Sequence, residues 1–219
     1  MVFPRPIRAV VFDMDGLLVD TETMIRKLVI ELAPEFNATM PEAVFQRMIG
    51  LPNAESDAVA REHFGPDFPL EAFSHELDRR IYAACEAGVP LKPGVIELLD
   101  HLDGRQAPRA IATSSSHRAV QRTLGPSGIL ARFHAVVAAG DYARGKPNPD
   151  PFLTAADRFG VAPEVCLALE DSHNGVRAAH AAGMMTVMVP DLLPATDEMR
   201  DLCLAIAASL HEVRVLLTS

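Results

Sequence analysis

The distribution of apolar residues divides the chain into a first strand, a helical stretch and a segment in which helices and strands alternate. Residues 7–12 form an apolar, β-branched run that ends at Asp13, which is typical of a buried strand. After Gly16, apolar residues recur at helical spacing for about 70 residues, interrupted by glycine and proline. This pattern predicts a helical insertion behind the first strand.

From residue 92 onward, short apolar runs alternate with segments of helical spacing. The expected strands are 109–112, 134–138, 165–169 and 186–189, and the expected helices are 95–102, 118–124, 149–159, 174–182 and 210–217. Near-continuous apolar runs between helices indicate a parallel sheet that is covered on both faces. We therefore predict an α/β protein with a doubly wound, Rossmann-like core of residues 1–17 and 90–219 and an inserted α-helical cap domain of residues 18–89.

Polar residues follow three of the predicted strands at the point where each strand ends. Asp13 and Asp15 follow the first strand, Thr113 and Ser114 the second, and Glu170 and Asp171 the fourth. Ligands of open α/β sheets bind at the carboxyl ends of the strands, so these residues are expected to meet in space. Lys146 lies in the loop before the next helix, next to Pro147.

These residue types suit the binding and transfer of a phosphoryl group. Asp13 and Asp15 lie two positions apart, and such a pair requires a cation, a proton or both to offset its repulsion. An exposed turn would also explain Asp13 to Gly16, whereas a calcium loop does not fit, because a strand precedes and Gly16 follows Asp15 directly. Carboxylate oxygens suit Mg²⁺, and Thr113, Ser114 and Lys146 could hold an anion.

Composition and charge exclude several classes of partner. The chain has 219 residues, 20 of them basic and 29 acidic, a net charge of −9, 49% hydrophobic residues and a mean hydropathy of +0.14. Without a dense basic tract, nucleic acids and anionic membranes are poor partners. Three cysteines without close spacing and an N-terminus unlike a signal peptide predict a cytoplasmic protein. The sequence leaves the oligomeric state open, with a monomer as one option.

Four ordered motifs resemble those of the haloacid dehalogenase superfamily, in the branch of phosphatases and β-phosphoglucomutase-like proteins with a helical cap. They are Asp13 to Asp20 (DMDGLLVD), Thr113 after a strand, Gly145 to Pro147 (GKP) and Glu170 to Gly175 (EDSHNG). The resemblance implies that Asp13 is a nucleophile that forms an aspartyl-phosphate and that Asp15 is the general acid and base. It also implies that Thr113, Ser114 and Lys146 hold the phosphate.

The same resemblance implies a magnesium site and a small phosphorylated metabolite, such as a sugar or nucleoside phosphate, as substrate. The metal ligands would be Asp13, Asp15 through its backbone carbonyl, Asp171 and Glu170. Arg47, Gly50 and Asn53 are the cap residues expected near the substrate.

Two alternatives stay open. Sugar-phosphate mutases of this branch carry a histidine and an arginine in the cap, and the corresponding residues here are Ile25 and Asn53, which favours a phosphatase. A non-enzymatic phospho-receiver module would carry its phosphorylated aspartate after the third strand, near Asp141, and would leave the helical insertion unexplained.

Overall fold

The fold is a six-stranded parallel sheet with helices on both faces and a helical insertion after the first strand. The computed structural model describes residues 3–49 and 53–218, without the side chains of residues 53 and 54. The strand order is β3-β2-β1-β4-β5-β6, which places the first strand between the second and the fourth. This architecture confirms the predicted fold class.

The elements follow in chain order. The strands are β1 (Ala9–Phe12), β2 (Arg109–Ser116), β3 (Ala135–Ala139), β4 (Cys166–Glu170), β5 (Met185–Met188) and β6 (Ala205–Ile206). The helices of the insertion are α1 (Thr21–Leu32), α2 (Glu42–Met48), α3 (Asn53–Phe64) and α4 (Leu70–Ala87). The helices around the sheet are α5 (Val95–Gly104), α6 (His117–Leu124), α7 (Asp150–Phe159), α8 (His173–Ala181), α9 (Asp197–Leu202) and α10 (Leu210–Thr218).

Strand β1 is buried on both faces, which explains its uninterrupted apolar sequence. Val10 and Phe12 pack into a core that also contains apolar residues of α5, α6 and α10. Ala9 and Val11 point to the other face, where α7 and α8 supply the packing. Because successive side chains of a strand alternate between faces, only an apolar residue at every position satisfies both layers.

The structure differs from the sequence-based expectation in two places. Strand β2 continues through Thr113 to Ser116, with a register shift relative to β3 between Ala112 and Ser116, so Thr113 lies within the strand. Helix α9 and the two-residue strand β6 were not predicted, since elements of this length carry too little periodic pattern.

The helical insertion has an apolar cluster of its own. Its buried members are Val29, Leu32, Ala33, Met40, Val44, Phe45 and Phe73. The two connections to the sheet run side by side: Val19 and Leu91 form an antiparallel bridge, and the N–H of Asp20 donates to the carbonyl of Pro90 at 2.9 Å. The domain boundaries at residues 17–18 and 89–90 stay a prediction.

In the part of the chain that the structure describes, no helix combines the length and apolarity that a membrane span requires.

Candidate active site

A buried lysine joins two carboxylates at the carboxyl edge of the sheet. Lys146 Nζ donates to Asp13 Oδ1 and, at 2.5 Å, to Glu170 Oε1. Asp13 comes directly after β1 and Glu170 ends β4, and these strands are neighbours, so their last residues share one edge. The lysine side chain is 7% exposed, and that of Glu170 is 0% exposed. Removing one partner of such buried ion pairs would leave an uncompensated buried charge, so the three groups depend on one another.

Asp15 is held by two hydroxyl groups from different parts of the chain. Its Oδ1 accepts from Thr21 Oγ1 at 3.0 Å, and its Oδ2 accepts from Ser115 Oγ at 2.9 Å. Thr21 is the first residue of α1 in the insertion, and Ser115 lies near the end of β2. These two hydrogen bonds fix the position of the Asp15 carboxyl group. Neither hydroxyl was among the predicted site residues.

The carboxyl group of Glu170 packs over the first turn of α8. Its Oε2 accepts from the backbone N–H of Asp171 at 3.1 Å, from the N–H of Ser172 at 3.2 Å and from Ser172 Oγ at 3.1 Å. A Cβ on Gly175 would lie only 1.8 to 2.1 Å from the carboxyl atoms of Glu170. The glycine therefore leaves the space that the carboxylate occupies.

Replacing Gly175 with alanine is expected to displace Glu170 and to weaken its bond to Lys146. We expect activity to fall by about 10- to 100-fold, the usual cost of losing a group that positions an active site. Steady-state kinetics and thermal unfolding measure the change. The control is Gly104→Ala, since Gly104 lies in a helix with nothing within 4 Å of an added Cβ. Equal activity of the two variants would contradict this role of Gly175.

Asp13, Glu170 and Asp171 form a group that could hold a metal ion. Each offers a carboxylate oxygen, and these oxygens lie within 4.8 Å of one another. Among the described residues, Asp171 Oδ1 is buried and has no hydrogen-bond partner. Gly16 has φ +81°, and a Cβ there would lie 2.3 Å from Asp171 Oδ2. An all-oxygen set with one unpartnered oxygen fits a hard divalent cation such as Mg²⁺.

Burial shifts the pKa values of the charged groups at this edge of the sheet. It raises the pKa of Asp13 to about 8, although Lys146 opposes the shift. Burial, and then the neighbouring Asp13 and Glu170, raise the pKa of Asp171 well above its ordinary value. Burial also raises the pKa of Asp15, against the hydrogen bonds from Ser115 and Thr21. Burial lowers the pKa of Lys146, but Asp13 and Glu170 outweigh it and leave that pKa raised.

A cavity of about 600 Å³ opens above these groups. Its lining includes Asp13, Asp15, Thr113, Ser114, Lys146 and Asp171, together with Glu22 and Ile49 of the insertion and with Ser172, His173, Asn174, Arg177 and Leu193. Tyr142 donates its hydroxyl to the carbonyl of Thr113 at 3.0 Å, a support that no sequence signal indicated. Ser116 is the N-cap of α6 and accepts from the N–H of Ala119.

Arg47, the predicted cap residue whose side chain the structure describes, lies outside the cavity. Arg47 pairs with Glu62 at 2.5 Å, its side chain is 51% exposed, and it does not line the cavity. Gly50 lies outside the described residues. Asn53 begins α3, but its side chain also lies outside them. A role of these three residues in substrate binding stays a prediction.

The fold and the site together define a Rossmann-like α/β protein with a lysine-bridged carboxylate centre beneath a helical insertion. The chain belongs to the haloacid dehalogenase-like hydrolases, whose family model matches residues 7–183. The family predicted from the four motifs is therefore confirmed.

Three similar proteins illustrate the relationship. A protein of Drosophila melanogaster named a probable pseudouridine-5′-phosphatase is 37% identical over 85% of this chain and 83% of its own length. The phosphorylated carbohydrates phosphatase of Thermotoga maritima is 30% identical over 81% and 82%. A solved hydrolase of the same family from Deinococcus radiodurans, with bound phosphate and sodium, has a TM-score of 0.81 at 27% identity and covers 97% of this chain and 96% of that chain. The predicted class, a phosphoric monoester hydrolase, agrees with these relatives.

Proposed function

We propose that the protein is a Mg²⁺-dependent phosphatase that hydrolyses a small phosphorylated metabolite of the sugar or nucleoside phosphate type. The observation that carries this proposal is the pairing of Asp13 with Lys146 at the floor of a cavity, beside Asp15 in its own hydrogen-bonded position. The names of the similar proteins support a phosphate monoester as substrate.

In this reaction Asp13 is the nucleophile. A carboxylate oxygen of Asp13 forms a bond to phosphorus while the bond from phosphorus to the leaving oxygen breaks. Asp15 gives its proton to the leaving oxygen, so the product departs as a neutral alcohol. Water then attacks the phosphorus of the aspartyl-phosphate, returns a proton to Asp15 and releases inorganic phosphate together with the free Asp13 carboxylate.

The surroundings of both aspartates support these roles. Burial favours the protonated form of Asp15, which is the form that a general acid needs. Burial raises the pKa of Asp13, and Lys146 opposes that rise, so the lysine favours the ionised nucleophile. Lys146 and the hydroxyl-bearing Thr113 and Ser114 line the cavity where the phosphoryl oxygens would lie.

A magnesium ion would be held by Asp13, Asp171 and the backbone carbonyl of Asp15, with Glu170 beside it. When bound, it would neutralise charge on the phosphoryl oxygens. Asp13, Glu170 and Asp171 face one cation, Lys146, so the cluster would be doubly negative if all three were ionised. This excess of negative charge supports a divalent ion at the site.

The test is phosphate release from hexose, pentose, nucleoside, glycerol and glycolate phosphates, with and without Mg²⁺. We expect release that requires Mg²⁺, and a phosphoryl mass increment on the peptide that contains Asp13 after acid quenching during turnover. Absence of release from every ester would contradict the proposal.

Isomerisation of a sugar phosphate without net release would instead support a mutase. The structure gives that alternative no help, because Ile25 packs into the apolar cluster of the insertion. The receiver alternative would require a free carboxylate at Asp141, whereas Asp141 Oδ2 accepts from the N–H of Ala138 at 3.2 Å and from His117 at 3.0 Å.

Magnesium is expected to stabilise the protein more at about pH 8.5 than at about pH 6. The pKa of Asp13 is raised from 3.8 to about 8 in the folded, metal-free protein. Below that value the folded protein keeps a proton that the ion must displace, and above it the ionised cluster is destabilising until the ion binds. Melting temperatures with and without Mg²⁺ at both pH values measure the difference. An equal increase in melting temperature at both pH values would contradict the expectation. Asp171→Asn should abolish most of the stabilisation by Mg²⁺.

A further inference from the structure

The cavity above Asp13 shares two lining residues with a second cavity, which lies in the helical insertion. Glu22 and Ile49 line both, and the second cavity has a volume of about 470 Å³ between the helices of the insertion. The second cavity is mainly apolar, with Ser56, Asp57, Ser74 and Asp78 as its other polar residues besides Glu22. The part of a substrate that extends away from the phosphate would therefore pass Glu22.

Cations that could bind a second anionic group are scarce in this space. Among the described lining residues, the permanent cations are Lys146 and Arg177. Lys146 is engaged by Asp13 and Glu170. Every guanidinium nitrogen of Arg177 has a partner: Nε and Nη2 donate to Glu198 at 2.7 and 2.6 Å, and Nη1 donates to Asn174 at 3.1 Å.

One histidine lines the first cavity, and its ring is in contact with the backbone. The ring of His173, which lines the first cavity, lies 2.9 Å from the carbonyl oxygen of Pro194. Residues 50–54 have the sequence Gly-Leu-Pro-Asn-Ala, so they contain no basic side chain wherever they lie. Beyond the phosphate end, by contrast, the carboxyl group of Glu22 lines both cavities, and those of Asp57 and Asp78 line the second cavity.

We propose that the substrate carries one phosphoryl group on an electrically neutral, hydroxyl-bearing body, and that Glu22 is the residue that excludes a second anionic group. The proposal rests on the proposed phosphatase function and narrows its substrate class. A carboxylate accepts hydrogen bonds from hydroxyl groups but repels a carboxylate or a second phosphate, and such repulsion is a common source of specificity.

The surroundings of Glu22 are themselves negative. Burial, followed by Asp15, Asp191 and Asp20, raises the pKa of Glu22 to about 7. The group is therefore mostly ionised at about pH 8.5, which is the pH for the test.

The experiment compares two matched pairs of substrates with the full-length enzyme and Mg²⁺. The pairs are 2-hydroxyethyl phosphate with 2-phosphoglycolate, and fructose 1-phosphate with fructose 1,6-bisphosphate. The first of each pair, whose body apart from the phosphate is uncharged, is called the neutral member, and the second, which carries a further anionic group, is called the anionic member. We expect kcat/KM to be higher for the neutral member of each pair by about tenfold or more, the effect of one nearby charge at the effective dielectric of a protein surface.

Glu22→Gln is expected to reduce this ratio by about tenfold, because it removes the charge and keeps the shape. Glu22→Asp, which keeps the charge, should retain the preference. The matched control is Glu31→Gln, which removes a charge from the same helix outside both cavities and should leave the ratio unchanged.

Three outcomes separate the proposals. No turnover of any ester contradicts the phosphatase function itself. Turnover in which the anionic member is equal or better contradicts the neutral substrate class, and this result needs no variant. A preference for the neutral member that Glu22→Gln leaves intact contradicts the assignment to Glu22.

Discussion

Asp13→Asn is expected to reduce phosphate release by about 10³-fold or more, since the amide cannot form an aspartyl-phosphate. The same change should raise the melting temperature of the metal-free protein at neutral and alkaline pH. Burial raises the pKa of Asp13 to about 8, so its ionised form is destabilising in the folded state, and the neutral amide removes that cost. Kinetics with Mg²⁺ and thermal unfolding in a chelator measure both effects.

The control for this variant is Asp141→Asn, which alters a carboxylate beyond another strand of the same sheet. Asp141 lies after β3 and is paired with His117 and Arg158, outside the cavity. Activity should survive that change. If Asp13→Asn kept activity or Asp141→Asn lost it, the assignment of the nucleophile would be wrong.

Lys146→Met is expected to lower the free energy of unfolding of the metal-free protein by about 3 kcal/mol and to reduce activity by about 10²-fold or more. The lysine is the common partner of Asp13 and Glu170, and its removal leaves two buried carboxylates without a cation. Methionine preserves most of the packing against Phe152, whose ring centroid lies 5.1 Å from Lys146 Nζ.

A second substitution separates stability from catalysis. In Lys146→Met combined with Glu170→Gln, one of the unpaired charges is gone, so much of the stability should return while activity stays low. Urea unfolding in a chelator and phosphate release with Mg²⁺ provide the two measurements. Recovery of activity in the double variant would show that Lys146 acts only through the charge of Glu170.

The sheet and the carboxylate centre could be predicted because their signals are local and chemical. The apolar run before Asp13 and the run before Glu170 each mark a buried strand, and parallel strands bring their carboxyl ends to one edge. Lys146 was predicted from its place in a proline-flanked loop before a helix and from the family motif, but only the structure shows that it pairs with both Asp13 and Glu170.

The supports around the centre could not be predicted, because their sequence signals are generic. Thr21 and Ser115 are common hydroxyl residues, and only the fold brings both to Asp15. Tyr142 reaches the carbonyl of Thr113 across a loop. Glu22 lines both cavities, and only the fold of the insertion over the sheet brings it there.

The bridge between Val19 and Leu91 has an evolutionary consequence. The chain enters and leaves the helical insertion through adjacent backbone segments, with the N–H of Lys92 donating to the carbonyl of Leu18 at 3.0 Å. When the two ends of an insertion are already held together, lengthening or replacing the part between them costs little conformational entropy. The catalytic sheet can therefore persist while different insertions are exchanged above it, so new substrates can be acquired without rebuilding the chemistry.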